Sequence, residues 1–237
     1  MSQKGTLYLF PVTLGNSVVE DVLPKRNIDL IKQLTFFIAE NAKEARAFLK
    51  QCQFPDISKA QFSLINQHVK QEELNLFINP LLQGQDMGLM SDAGCPGIAD
   101  PGADIIKLAH KQGIKVVPLV GPSSIVLSIM ASGFNGQNFA FNGYLPIEKP
   151  TRLKRIKELE LLTQKNKQAQ YFIETPYRNT SLFQDLIQQL QAHTKLLIAS
   201  ALTTNDEVIM VKTVQQWKRE EMPQFNKVPT VFGIYSE

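Results

Sequence analysis

The chain has 237 residues, 25 Lys and Arg against 22 Asp and Glu, and 43% hydrophobic residues. That mix builds the core of one large or two small domains, and it excludes a disordered, collagen-like or disulfide-stapled chain. The formal charge of +3 permits an anionic partner without demanding one. The most apolar run, Val116–Met130, is broken by Pro118, Gly121 and Pro122, so a membrane span is not expected. Residues 1–10 lack the apolar stretch and cleavage site of a signal peptide, and the expected location is the cytoplasm. Cys52 and Cys95 form no CxxC pair and read as reduced thiols. His68, His110 and His193 are scattered, and no metal site is expected.

In chain order, strands are predicted at Thr6–Val12, Leu34–Ala39, Asp86–Ser91 and Lys115–Val117. Helical spacing falls between them at Ala42–Lys50, Val69–Leu82 and Asp104–Lys111. Short apolar strands alternating with helices argue for a mainly parallel sheet covered on both faces. The second half reads differently. Strands are predicted at Gln137–Tyr144, Ala169–Glu174, Lys195–Leu202, Glu207–Val214 and Thr230–Ser236. Helices are predicted at Ser123–Ala131, Pro150–Leu162 and Asn179–Gln191. More strands with fewer helices indicate a mixed α+β sheet. The Pro-Gly cluster near Val117–Gly121 places the boundary, giving an N-terminal α/β domain over 1–117 and a C-terminal α+β domain over 118–237.

Three segments carry candidate chemistry. Ser91–Asp104, SDAGCPGIADPGAD, follows a predicted strand and precedes a helix, where open α/β sheets bind ligands. Its glycines allow close backbone approach, its prolines stiffen the loop, and Asp92 and Asp100 offer acceptors to a cation, an amine or a ribose. The competing reading has these aspartates capping turns and the following helix. Val117–Ser124, VPLVGPSS, runs through Gly-Pro into a helix start whose backbone N–H groups suit an anion. An ordinary capped helix explains it equally well. In Phe172–Arg178, FIETPYR, Glu174 and Arg178 either orient a substrate or make a surface ion pair of little energetic worth. GxGxxG, GxxxxGK[ST] and GxSxG are all absent, which removes support for the usual dinucleotide, P-loop and esterase readings.

Taken together these segments resemble the tetrapyrrole methylase superfamily, and within it the bacterial small-subunit rRNA cytidine 2′-O-methyltransferases. Gly5–Asn16, GTLYLFPVTLGN, is similar to that branch's GTLYLVATPIGN, and Ser91–Gly102 to its SDAGTPxxSDPG. Val117–Ser124 matches VPxPGPSA, Ala131–Gly133 the SG pair, Phe141–Pro146 the FxGFLP and Phe172–Arg178 the FFESPHR. The family's EDTR reads Glu40-Asn41-Ala42-Lys43 here, and its RELTK reads Ser200-Ala201-Leu202-Thr203-Thr204.

The resemblance implies two α/β domains with S-adenosylmethionine in the cleft between them, and a homodimer. It also implies the cofactor-binding residues. Leu14 and Gly15 line the first loop, Asp92, Ala93 and Gly94 meet the methionine or ribose part, and Ser123, Ser124 and Ile125 meet its polar groups. Ile173, Glu174, Leu202, Thr203, Pro229 and Val231 close over the adenine. The implied activity is methyl transfer to a ribose 2′-hydroxyl of ribosomal RNA, alone or in the small subunit, with S-adenosylhomocysteine as product. Glu40, Asp100 and Glu174 are candidates for the base.

For the RNA, Lys43 and Arg178 join the stretch Lys149–Lys167, whose seven Lys and Arg against two Glu include Arg152, Lys154 and Arg155. A solvated helix face explains that stretch as well. Three other readings stand beside this one. The first is methylation of a tetrapyrrole or another small molecule. The second is a non-catalytic module that binds the cofactor or RNA. The third is a phosphohydrolase holding Mg²⁺ on the aspartates of Ser91–Asp104.

Overall fold

The computed structural model describes residues 3–66, 69–225 and 227–236. His68 therefore lies outside the described residues. The chain divides into two compact units, Met1–Ser123 and Ser124–Glu237.

The first unit alternates strands and helices, in the order β1 (Thr6–Phe10), α1 (Val19–Val22), α2 (Lys25–Ile31), β2 (Phe36–Ala39), α3 (Ala42–Gln51) and β3 (Gln61–Leu64). It continues through α4 (Gln71–Phe77), α5 (Asn79–Leu82), β4 (Met87–Met90), α6 (Gly102–Lys111) and β5 (Lys115–Pro118). The five strands form one sheet in the order β3-β2-β4-β1-β5, every neighbour parallel, as the alternating pattern predicts.

Side chains that alternate along these strands feed two cores. Phe10, Phe37 and Met90 pack with Ile31, Phe48 and Leu49 of α2 and α3. Leu7, Ile38 and Leu89 face the other way, onto Leu74, Leu81, Ile105 and Leu108 of α4, α5 and α6. The predicted helix Val69–Leu82 is two helices. Pro80, at the start of α5, has no N–H to give back to the preceding turn, so the ladder breaks near Ile78.

This topology fixes where a ligand would go. From β1 the chain crosses to one side of the sheet, and from β4 to the other. Right-handed crossovers send those two connections over opposite faces. The loops after these neighbouring strands therefore part above their carboxyl ends, which is the crevice where open α/β sheets hold ligands.

The second unit holds α7 (Ser124–Ser132), β6 (Phe139–Tyr144), α8 (Lys149–Asn166), β7 (Ala169–Ile173) and α9 (Asn179–Gln189). After these come β8 (Lys195–Ser200), β9 (Val208–Thr213), α10 (Val214–Trp217) and β10 (Thr230–Tyr235). The sheet order is β6-β7-β10-β8-β9, with β6 and β7 parallel and the other pairs antiparallel. It is mixed, as expected. Phe172, Leu196, Ile198, Phe232 and Ile234 pack beneath Ile156 and Leu159 of α8 and Leu182 and Leu186 of α9. Among the described residues no helix is long and apolar enough to cross a membrane.

Candidate functional site

In the first unit the loops at the strand ends are tied to one another. The N–H of Val12, just past β1, donates to Gly94 O at 2.9 Å, joining the first loop to the one after β4. Gly94 sits at φ +71°, and an added Cβ would stand 3.1 Å from Leu14 Cδ2, so this turn favours glycine. The loop after β5 approaches just as closely. A Cβ on Gly121 would lie 2.4 Å from Pro11 Cβ. Buried Asn27 of α2 secures that loop by donating to Val120 O at 2.7 Å, and the Cys95 thiol donates to Pro122 O at 3.4 Å.

The aspartates of Ser91–Asp104 divide their labour. Asp100 accepts from Gly97 N through both oxygens at 2.9 Å and from Gly102 N at 2.7 Å. Its carboxylate holds the loop together and caps the entry to α6, the turn-capping alternative raised by the sequence. Asp92 is different: it is exposed and lines a hollow of about 220 Å³. Leu14, Gly15 and Asn16 line the same hollow, with Ser91 and Ala93 from the loop after β4 and Glu44, Ala47 and Gln51 from α3.

The α3 wall was not anticipated from the sequence. Its signal is there in the spacing of Glu44, Ala47 and Gln51, which puts the three on one side of a helix. Glu40, at the end of β2, underpins the hollow. Its Oε1 accepts from Ser91 Oγ at 3.0 Å and from Asp92 N at 3.3 Å.

The electrostatics are one-signed. Burial pushes the Glu40 carboxyl above its ordinary range, against the hydrogen bonds from Ser91 and Asp92 that favour its charge. Asp100 and Asp92 add to the upward shift. Burial also raises Asp92, with Glu44 the next cause and Asp100 a smaller one, while the N–H of Asn41 opposes them. Among the described residues no group of three His, Cys, Asp or Glu is placed to hold a metal ion.

The second unit gathers its assigned residues at one end of its sheet. Val231 pairs with Ile173 and with Ala199, and Thr230 with Ser200. Ala201 N donates to Pro229 O at 3.0 Å, which brings Leu202 and Thr203 to the same edge. Leu202 and Val231 are buried, Ile173 and Thr203 half-buried, and Pro229 is exposed. Ala201 and Thr203 both adopt left-handed backbone, at φ 49° and 67°. That conformation is unfavourable for a β-branched threonine.

Glu174 is 1% exposed at its side chain, and its Oε1 accepts from Thr175 N at 2.7 Å and Arg178 Nη2 at 2.5 Å. This is not the solvent-exposed pair of the weaker alternative. It is a buried carboxylate paired with a half-exposed guanidinium. Ser123 is half-buried at the end of the first unit, and Ser124 and Ile125 open α7 in the second.

The basic residues separate by burial. Lys154 and Lys43 are exposed, and Arg155 is 37% exposed while bonding Asn142 Oδ1 at 3.1 Å and Glu158 at 3.3 Å. Arg152 corrects the sequence expectation. Its side chain is 7% exposed, pairs with buried Asp185 at 2.7 Å, and donates to Ile147 O at 2.6 Å. Arg152 lies on the inward stripe of α8 with Ile156, Leu159 and Thr163, so it ties α8 to α9 and faces away from any polyanion.

No family model matches the chain. Curated relatives do. Ribosomal RNA small subunit methyltransferase I of Halalkalibacterium halodurans is 32% identical over 220 residues, covering 92% of this chain and 72% of the relative. The protein of the same name from Vibrio cholerae is 30% identical over 203 residues, covering 86% and 67%.

Two solved structures share the fold at low identity. The methyltransferase CobJ aligns with TM-score 0.65 and 15% identity over 99% of this chain and 95% of its own. Uroporphyrin-III-C-methyltransferase from Thermus thermophilus aligns with TM-score 0.53 and 14% identity over 98% and 92%.

Proposed function

Because the chain belongs to the family of ribosomal RNA small subunit methyltransferase I, we propose that it methylates a ribose 2′-hydroxyl in small-subunit ribosomal RNA. It is a methyltransferase that uses S-adenosylmethionine. The observation that carries the reading is the hollow at the strand ends of the first unit, where two segments that carry the sequence resemblance, Gly5–Asn16 and Ser91–Gly102, meet α3.

The donor set there suits this cofactor. S-adenosylmethionine carries an ammonium, a carboxylate, ribose hydroxyls and a sulfonium, and it has one net positive charge. The hollow offers the carboxylates of Asp92 and Glu44, the hydroxyl of Ser91 and the apolar side chain of Leu14. Leu14, Gly15, Asp92, Ala93 and Gly94 are the proposed contacts in the first unit, with Ser123. Ser124, Ile125, Ile173, Leu202, Thr203, Pro229 and Val231 are those of the second.

When bound, the cofactor supplies the electrophilic methyl group, so the protein's work is orientation and exclusion of water. In this reading Asp100 keeps the loop after β4 in shape, Glu40 fixes its first residues, and Glu174 anchors the turn after β7 with Arg178. All three carboxylates act on loops rather than as the base. Lys154 and Lys43 are the proposed contacts to RNA phosphates, with Arg155 and Arg178 at the margin.

A cytoplasmic homodimer is part of the proposal. It is supported by α7, which presents Val126 and Met130 outward while Ser128 and Ser132 are buried. Light scattering at twice the monomer mass is the expected result.

The likeness to a uroporphyrin methyltransferase keeps a second reading in view. Supplying labelled S-adenosylmethionine to small-subunit RNA and, separately, to a porphyrinoid decides between them. Label is expected in the RNA. Label in the porphyrinoid alone would overturn the proposal.

A further inference from the structure

The hollow in the first unit is lined by two charged side chains among the described residues, Glu44 and Asp92, and both are acidic. Glu40 stands directly behind them, fastened by Ser91 Oγ and Asp92 N. Asn41 N donates to Asp92 and fixes the second carboxylate at the start of α3. The charged neighbours that raise Glu40 are Asp100 and Asp92, and those that raise Asp92 are Glu44 and Asp100. An ordinary ion-paired loop would place a cation here. Here the charged side chains that line the hollow, among the described residues, are both acidic.

We propose that Glu40, Glu44 and Asp92 form a charge filter that favours the sulfonium-bearing methyl donor over its neutral product and thereby promotes product release. The inference rests on the reading that this hollow holds the methyl donor. Methyl transfer removes the positive charge from sulfur and leaves almost the same shape behind. Shape alone therefore discriminates poorly between donor and product, and a fixed negative potential discriminates well. Glu40 is half-buried, and a partly desolvated carboxylate is screened less than an exposed one. Glu40 and Asp92 are shifted upward chiefly by burial, and the neighbouring carboxylates add to the shift. A ligand with one net positive charge relieves that crowding.

The roles within the cluster differ. Asp92 lines the hollow, and Glu40 acts through the loop as well as by charge. Glu44 is exposed on α3, so its replacement tests charge with little structural consequence.

The test is calorimetric titration of the full chain with S-adenosylmethionine and, separately, with S-adenosylhomocysteine. Wild type, Glu44→Gln, Glu40→Gln and the double variant are compared at low salt. Each charge removed is expected to lower the ratio of donor to product affinity about threefold, while product affinity stays within about twofold of wild type. Gln at position 40 keeps an acceptor for Ser91 and Asp92, so retained product binding shows that the loop is intact. Should Glu40→Gln lose product binding, Glu44→Gln decides alone.

An unchanged ratio, in the double variant or in Glu44→Gln where it decides alone, would overturn the charge filter and leave the cofactor reading standing. Failure of the wild type to bind either ligand would overturn both.

Discussion

At the scale of single residues, the molecule uses its carboxylates for position. Glu40 shows the consequence for stability. Its folded-state pKa lies above the ordinary carboxylate value, chiefly through burial. The native state therefore holds this proton more readily than the unfolded chain. The favourable contribution is fully present below the ordinary value and is lost as the pH rises through it towards the raised one. Glu40→Gln removes that dependence, so its stability should gain on wild type as the pH rises above the ordinary carboxylate range. Urea midpoints across that rise check it, and parallel curves would contradict it.

Cys52 gives a second residue-level prediction. Burial pushes its thiol up to about 12, so almost no thiolate exists near neutrality. A disulfide reagent at pH 8 should leave Cys52 unlabelled in the native protein and label it once urea unfolds the chain. Rapid native labelling at Cys52 would mean that the core around α3 opens readily.

At the scale of elements, α8 has two faces with different work. Its inward stripe carries Arg152, clamped to Asp185 of α9, and its outward face carries Lys154 and Lys157. Arg152→Ala leaves the buried Asp185 carboxylate to the exposed Lys149 at 3.4 Å and should destabilise the fold by about 3 kcal/mol in chemical denaturation. Lys154→Ala with Lys157→Ala should leave stability alone. In filter binding it should weaken RNA affinity and flatten the salt dependence, by about one unit of slope for each phosphate no longer neutralised. An unchanged slope would remove α8 from the RNA surface.

The turn between β8 and β9 is the other element under constraint. Thr203 holds φ 67°, and its N–H donates to Glu207 Oε2 at 2.8 Å. Thr203→Gly should raise stability by about 0.5–1 kcal/mol through relief of the left-handed strain. A loss of stability would show that the threonine side chain outweighs its backbone conformation.

At the scale of the whole molecule, both sheets were legible because their strands are short, apolar and punctuated. Leu7, Phe10, Phe37 and Ile38 carry a buried parallel strand's signature in the sequence itself. What was missed was weak for physical reasons. β3 is a four-residue edge strand, with Gln61 and Leu64 exposed, so burial wrote no pattern into it. α1 and α2 are short and flank Pro24, too brief to show a helical period.

The site was legible where loops carry dense Gly, Pro and Asp, as in Ser91–Asp104. It was not legible where a helix lends one face, as Glu44 and Gln51 do. Arg152 was misplaced because a charge count along a helix does not say which way each side chain turns. The stripe with Ile156 and Leu159 does say so.

The central claim is that this chain methylates a ribose of small-subunit RNA, and the chemistry of RNA hydrolysis tests it directly. A 2′-O-methyl group blocks alkaline cleavage of the adjoining phosphodiester, whereas a methylated base does not. Small-subunit RNA labelled by the protein from methyl-labelled S-adenosylmethionine should, after alkaline digestion, yield its label in an alkali-stable dinucleotide. Label recovered in mononucleotides would place the methyl on a base and contradict the account.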